Sequence, residues 1–177
     1  MATDRAFDPS RFDVSAAAAA ATTVSGEWPL ESLPRLAAAC LPGTGHGVQW
    51  QASGLRAALA GVGTRPALQL AAVTTVEVEC QRCLQPMQVS LSVDRRIFFV
   101  EGEDAAAALD AENEDDVLGL EAALDLRGLL EDELLLALPL VPRHEACPQP
   151  LTLRTDEVPV EHPFAALAAL KGRTRPG

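Results

Sequence analysis

The chain has 177 residues, 48% of them apolar, which is enough for one domain of ordinary size whose core stands without staples. Alanine (31) and leucine (26) dominate that fraction, against five Phe, two Trp and no Tyr, so the expected core is aliphatic. Fourteen Lys and Arg against 25 Asp and Glu leave −11 at pH 7, which argues against a general nucleic-acid coat and allows a basic protein partner or a narrow RNA contact through a few arginines.

No run approaches the ~20 apolar residues of a membrane span. The alanine run at 16–21 follows Asp4, Asp8 and Asp13 as well as Arg5 and Arg11, which does not fit a signal peptide. Four cysteines, two of them in a CxxC, do not make a secreted disulfide framework, so a cytoplasmic location is expected.

In chain order, residues 1–40 read as a helical lead-in with a break at Trp28-Pro29, and 1–24 are expected to lie outside the main domain. A Gly-rich loop at 42–47 follows. The period then shifts to two: Val48, Trp50 and Ala52 alternate with polar neighbours, and a turn falls between Gly54 and Pro66. The stretches 67–79 and 87–100 both alternate, with Met87, Val89, Leu91 and Val93 on one face. They predict a long antiparallel hairpin with Cys80-Gln81-Arg82-Cys83 at its tip.

Ten Asp or Glu and no Lys or Arg fall between Ile97 and Leu126, and 101–124 reads as an acidic loop. A solvated insertion without a task is the simpler reading of it; an electrostatic lure for a basic partner is the functional one. Residues 125–138 carry the strongest helix pattern, capped by Asp125 and stopped by Pro139 and Pro142. A short helix is expected from His162 to Leu170, with a basic tail at 172–177. The result is α+β: one domain over 25–171, an antiparallel sheet packed by helices, with helical ends.

The CxxC admits three uses: half a metal site, a redox pair, or nothing. A thioredoxin-like pair belongs between a strand and a helix, whereas this one lies between two strands. His144-Glu145-Ala146-Cys147 repeats the spacing after 60 residues. Cys80, Cys83, His144 and Cys147 thus form a three-thiolate, one-imidazole set suited to one structural tetrahedral zinc. Cys40 reads as a small core residue, His46 as a loop residue and His162 as a helix-entry residue. No Ser/His/Asp pattern, phosphate loop or nucleotide fingerprint appears, so the chain is not expected to be an enzyme.

Three segments, in this order, resemble the bacterial YceD family: Val78-Glu79-Cys80-Gln81-Arg82-Cys83-Leu84, the block from Asp125 through Glu131-Asp132-Glu133 to Pro142-Arg143-His144, and the close from His162-Pro163-Phe164 to Leu170-Lys171. The resemblance covers roughly 25–171. It implies a non-catalytic factor needed for accumulation of 23S ribosomal RNA, hence for large-subunit assembly, acting on a precursor particle or a basic ribosomal protein. Direct RNA contact would fall to scattered arginines: Arg82 at the hairpin tip, Arg95 and Arg96 on the second strand, Arg143, and the tail from Lys171 to Arg175, with Arg82, Arg95 and Arg96 tested together; ordinary surface charge is the simpler reading of any single one. The alternatives are a zinc-stabilised interaction module outside the ribosome and a CxxC thiol oxidoreductase.

Overall fold

The computed structural model describes residues 8–43 and 46–148. They form a single α+β domain around a five-stranded sheet whose strands lie side by side in chain order. The predicted helix at 162–170 and the tail at 172–177 lie outside the described residues.

The N-terminal segment is part of the domain rather than a lead-in to it. Asp13 accepts the Ala16 N–H at 2.8 Å and caps helix α1 (Val14–Ala20). Phe12 and Leu124 exchange both backbone hydrogen bonds at 2.9 Å, and Val14, Ala17 and Ala18 are buried. The alanines have a use beyond helix propensity. Strand β2 (Val48–Leu59) passes so close under α1 that a Cβ at Gly54 would stand 2.4 Å from the Ala17 carbonyl carbon. Small side chains on the helix and none on the strand allow that approach.

The predicted helical stretch also contains strand β1 (Thr23–Trp28), which pairs antiparallel with β2 from Thr23↔Ser53 to Trp28↔Val48. Trp28 stacks on Trp50 with ring centroids 4.3 Å apart, and the Arg127 guanidinium lies over Trp28 at 5.2 Å. Helix α2 (Pro34–Ala39) follows, opened by a proline at its first turn.

Strands β3 (Gly63–Glu79) and β4 (Pro86–Val100) form the expected hairpin, in register from Ala67↔Phe98 to Glu79↔Pro86. One face of the sheet, with Leu68, Leu70, Ala72, Val76, Leu91, Val93, Ile97 and Phe99, packs into a single core with α1, α2 and helix α4 (Leu126–Ala137). Asp125 caps α4 by accepting the Gly128 N–H at 3.0 Å, as predicted.

The acidic segment corrects the expectation of a loop over 101–124. It holds helix α3 (Glu103–Glu112) and strand β5 (Asp116–Gly119). Four consecutive alanines supply propensity, and Glu103 and Asp104 lie in the first turn, where the helix dipole favours acids. Ala106 packs with Phe98, Val100 and Val117 in a second small core on the reverse face. This explains the unbroken apolar run Ile97-Phe98-Phe99-Val100: β4 is covered on both sides there. Strand β5 runs parallel to β4, from Ile97↔Asp116 to Val100↔Gly119, so the sheet is mixed rather than wholly antiparallel.

Candidate metal centre

The hairpin register decides where the first two cysteines stand. With Glu79 paired to Pro86, the chain must reverse over six residues. It does so by closing two backbone bonds: the Cys80 N–H donates to the Gln85 carbonyl at 3.0 Å and the Leu84 N–H to the Cys80 carbonyl at 2.9 Å. Leu84 takes the left-handed conformation (φ 58) to complete the turn, a strained choice for a side chain with a Cβ. The result is a knuckle with Cys80 and Cys83 buried on its inner side.

The second pair arrives from α4. Leu138 leaves helical geometry and Pro139 cannot continue the ladder, so the chain runs back over the hairpin tip. The Gln81 N–H donates to the Pro142 carbonyl at 2.8 Å and fixes the strap to the knuckle two residues before His144.

All four ligand atoms of Cys80, Cys83, His144 and Cys147 lie within 4.8 Å of one another. Cys80 Sγ is 3.9 Å from Cys147 Sγ, and Cys83 Sγ is 3.4 Å from His144 Nδ1. Zinc–ligand bonds of about 2.3 Å to sulfur and about 2.0 Å to nitrogen at tetrahedral angles require edges of about 3.8 Å and about 3.5 Å. The donor set and its spacing therefore fit a tetrahedral thiophilic ion. All four cysteines of the chain are free thiols, and Cys40, whose thiol is pushed up by burial, stands apart from this set.

The electrostatics favour a bound cation. Burial works against a thiolate at Cys80, but the backbone N–H groups of His144, Arg82 and Cys83 outweigh it and bring the group from 9.0 to about 5. The His144 N–H lies 3.4 Å from that sulfur. At Cys83 burial prevails and raises the thiol, despite the opposing Gln85 N–H. One sulfur is thus an anion at neutral pH, and a metal ion would displace the proton from the other.

The arginines taken together, Arg82, Arg95 and Arg96, stand apart in the fold. Arg82 belongs to the knuckle and turns inward on Cys147, at 3.0 Å from Nε to Sγ. Arg95 and Arg96 lie nine and ten residues along β4 from its start, about 30 Å away at about 3.3 Å per residue. They point to opposite faces, and acids hold both: Arg95 contacts Asp116 at 3.0 Å and Glu133 at 3.4 Å, and Arg96 contacts Asp115 at 3.6 Å. Arg143 is exposed on the strap. His46 lies in a loop beside β3, its Nδ1 3.3 Å from the Thr75 carbonyl; His162 is outside the described residues. Among the described residues no helix is long and apolar enough to cross a membrane.

Sequence reasoning missed Glu131. This α4 carboxylate, 4% exposed, accepts the N–H groups of Arg35 at 2.6 Å and Leu36 at 3.1 Å and pairs with the Arg35 guanidinium at 2.9 Å. It caps α2 from another helix, and in the run Glu131-Asp132-Glu133 nothing in the sequence marks it out from its acidic neighbours.

Fold and site together define a small α+β domain whose longest hairpin carries half of a Cys3His cluster at its tip and whose last described helix delivers the other half. The profile of the family described as "Large ribosomal RNA subunit accumulation protein YceD" matches residues 68–171, a span that holds the hairpin, the cluster and α4. The chain belongs to the YceD family. The large ribosomal RNA subunit accumulation protein YceD of Haemophilus influenzae (strain ATCC 51907 / DSM 11121 / KW20 / Rd) is 38% identical to it over 104 residues, covering 54% of this chain and 60% of the relative. The match thus spans well under two thirds of that relative's length. No solved structure matches the chain.

Proposed function

We propose that this protein supports accumulation of 23S ribosomal RNA during large-subunit assembly, without catalysis, by binding a ribosomal protein or a precursor particle. The observation that carries this reading is the family match over 68–171, because it spans the hairpin, the Cys3His cluster and α4. Charge adds support. A chain of −11 complements basic ribosomal proteins and can hold one away from other polyanions until assembly.

In this reading zinc is structural. Held by Cys80, Cys83, His144 and Cys147, it would supply a rigid cross-link between the hairpin tip and the α4 exit, with no open coordination position for chemistry. The residues' own part is to present three sulfurs and one imidazole already gathered. The cytoplasm, where thiols stay reduced, suits such a centre.

Depletion tests the function. The 23S to 16S ratio should fall and a sucrose gradient should show fewer 50S particles, with restoration by the wild-type chain. An unchanged ratio and profile would remove the reading. Metal analysis of untagged protein tests the cofactor: about one zinc per chain is expected, and Cys83→Ser should lose it.

A further inference from the structure

We propose that Arg82 is the built-in counter-ion and cover of the Cys3His centre, holding the strap on the knuckle and shielding the Cys147 sulfur from electrophiles. This deepens the metal reading above and rests on it. Three thiolates and a neutral imidazole around a divalent ion leave one net negative charge, which makes the sulfurs nucleophilic and the centre prone to attack. The three sulfurs are not equally open: Cys80 and Cys83 are 0% and 3% exposed, whereas Cys147 is only half-buried.

Arg82 sits on that least-buried sulfur. Its Nε donates to Cys147 Sγ at 3.0 Å, while one terminal nitrogen donates to the carbonyls of His144 at 2.7 Å and Glu145 at 3.3 Å. One guanidinium therefore caps the sulfur, offsets the charge and binds the strap between its two ligands. A planar fork can make these contacts at once; a lysine ammonium would keep the charge but not the set of contacts. Of the two residues between the cysteines, Gln81 meets the strap through its backbone N–H and turns its side chain back to the Glu79 carbonyl, which leaves the strap's ligands to Arg82. These inward bonds also take Arg82 out of the group of free cations available to RNA phosphates.

The test uses the full-length, zinc-loaded protein and three chains: wild type, Arg82→Gln and Arg82→Lys. N-ethylmaleimide reports on Cys147 by peptide mapping; the sulfur adds across the maleimide double bond and the resulting carbanion takes its proton from water. Cobalt substitution reads the sulfur-to-metal charge-transfer band, and competition with a chelator reads affinity. With Arg82→Gln, alkylation at Cys147 should quicken about tenfold or more and affinity should fall about 10- to 100-fold, the usual effect of losing a group that orients a ligand. The charge-transfer band should move while the tetrahedral cobalt bands persist. Arg82→Lys should fall between the two. Zinc retained with equal alkylation rates and affinities in all three chains overturns this proposal and leaves the metal centre standing. A wild type that binds no zinc overturns both. If Arg82→Gln does not fold, Arg82→Lys decides alone, since a rate and affinity equal to wild type would show that the fork is dispensable.

Discussion

At the scale of single residues, two carboxyl or thiol groups carry consequences out of proportion to their size. Glu131 answers two backbone donors at the start of α2, one buried and one partly buried, and no side chain at the N-cap position does so. Glu131→Ala leaves both donors unsatisfied, and a loss of about 2–4 kcal/mol is expected in urea unfolding. Arg35 is half exposed, so its ion pair adds little to that figure. Cys80 behaves oppositely to a buried thiol. In protein stripped of metal, ultraviolet thiolate absorbance should titrate with a midpoint of about 5, a step that Cys80→Ser removes. The sign follows from a folded value below the unfolded one. The contribution to stability is full above pH 9, shrinks as pH falls, and is gone below about 5. A midpoint near that of an ordinary thiol would mean the N–H groups around the sulfur do not act as placed.

Among the elements, α3 separates what the sequence displays from what it conceals. The hairpin, α4 and the CxxC-to-HxxC pairing were legible because each has a period or a spacing: alternation in 87–93, the Leu126-Leu130-Leu134 stripe, and two x-x gaps. β1 and α3 were not. β1 sits in a stretch whose alanine-rich flanks favour helix, and only pairing with β2 decides its state. α3 is acidic enough to read as loop because its buried contribution is one alanine, Ala106, with Leu109 partly buried beside it. α3 is thus held by a small apolar contact and by Asp110, which accepts the Val117 N–H at 2.9 Å. Ala106→Arg should lift α3 from the reverse face of the sheet and loosen the edge strand β5 that it covers. Hydrogen exchange should then speed up over 103–119 while 48–79 stays protected; equal protection throughout would show that α3 is held by something other than this contact. The arginines show the limit of reading by proximity: Arg95 and Arg96 stand side by side in the sequence, and the pleat sends them to opposite faces.

Over the whole molecule, the sheet core and the metal centre are separate structures joined at one end. The apolar core runs through β2–β4 and α1, α2 and α4, none of which needs the knuckle to bury its side chains. Chelation should therefore release the strap without unfolding the sheet. Amides over 139–148 and 80–85 should lose protection, the far-ultraviolet dichroism should stay near its starting value, and zinc should restore the protection. Global unfolding on chelation would instead place the domain with the small metal-dependent folds.

The knuckle and strap also have a mechanical meaning. Cys83 and His144 are 61 positions apart, and a metal between them ties β4, α3, β5 and α4 into a closed ring whose clasp sits at the base of the strap. With that metal bound, a pull applied to the chain beyond Cys147 would be carried across the clasp into β3 before it reached α4. With a metal bound, a machine that threads the protein from its C-terminal side would have to open the clasp before it could peel α4, and four ligand bonds would take the load ahead of the sheet.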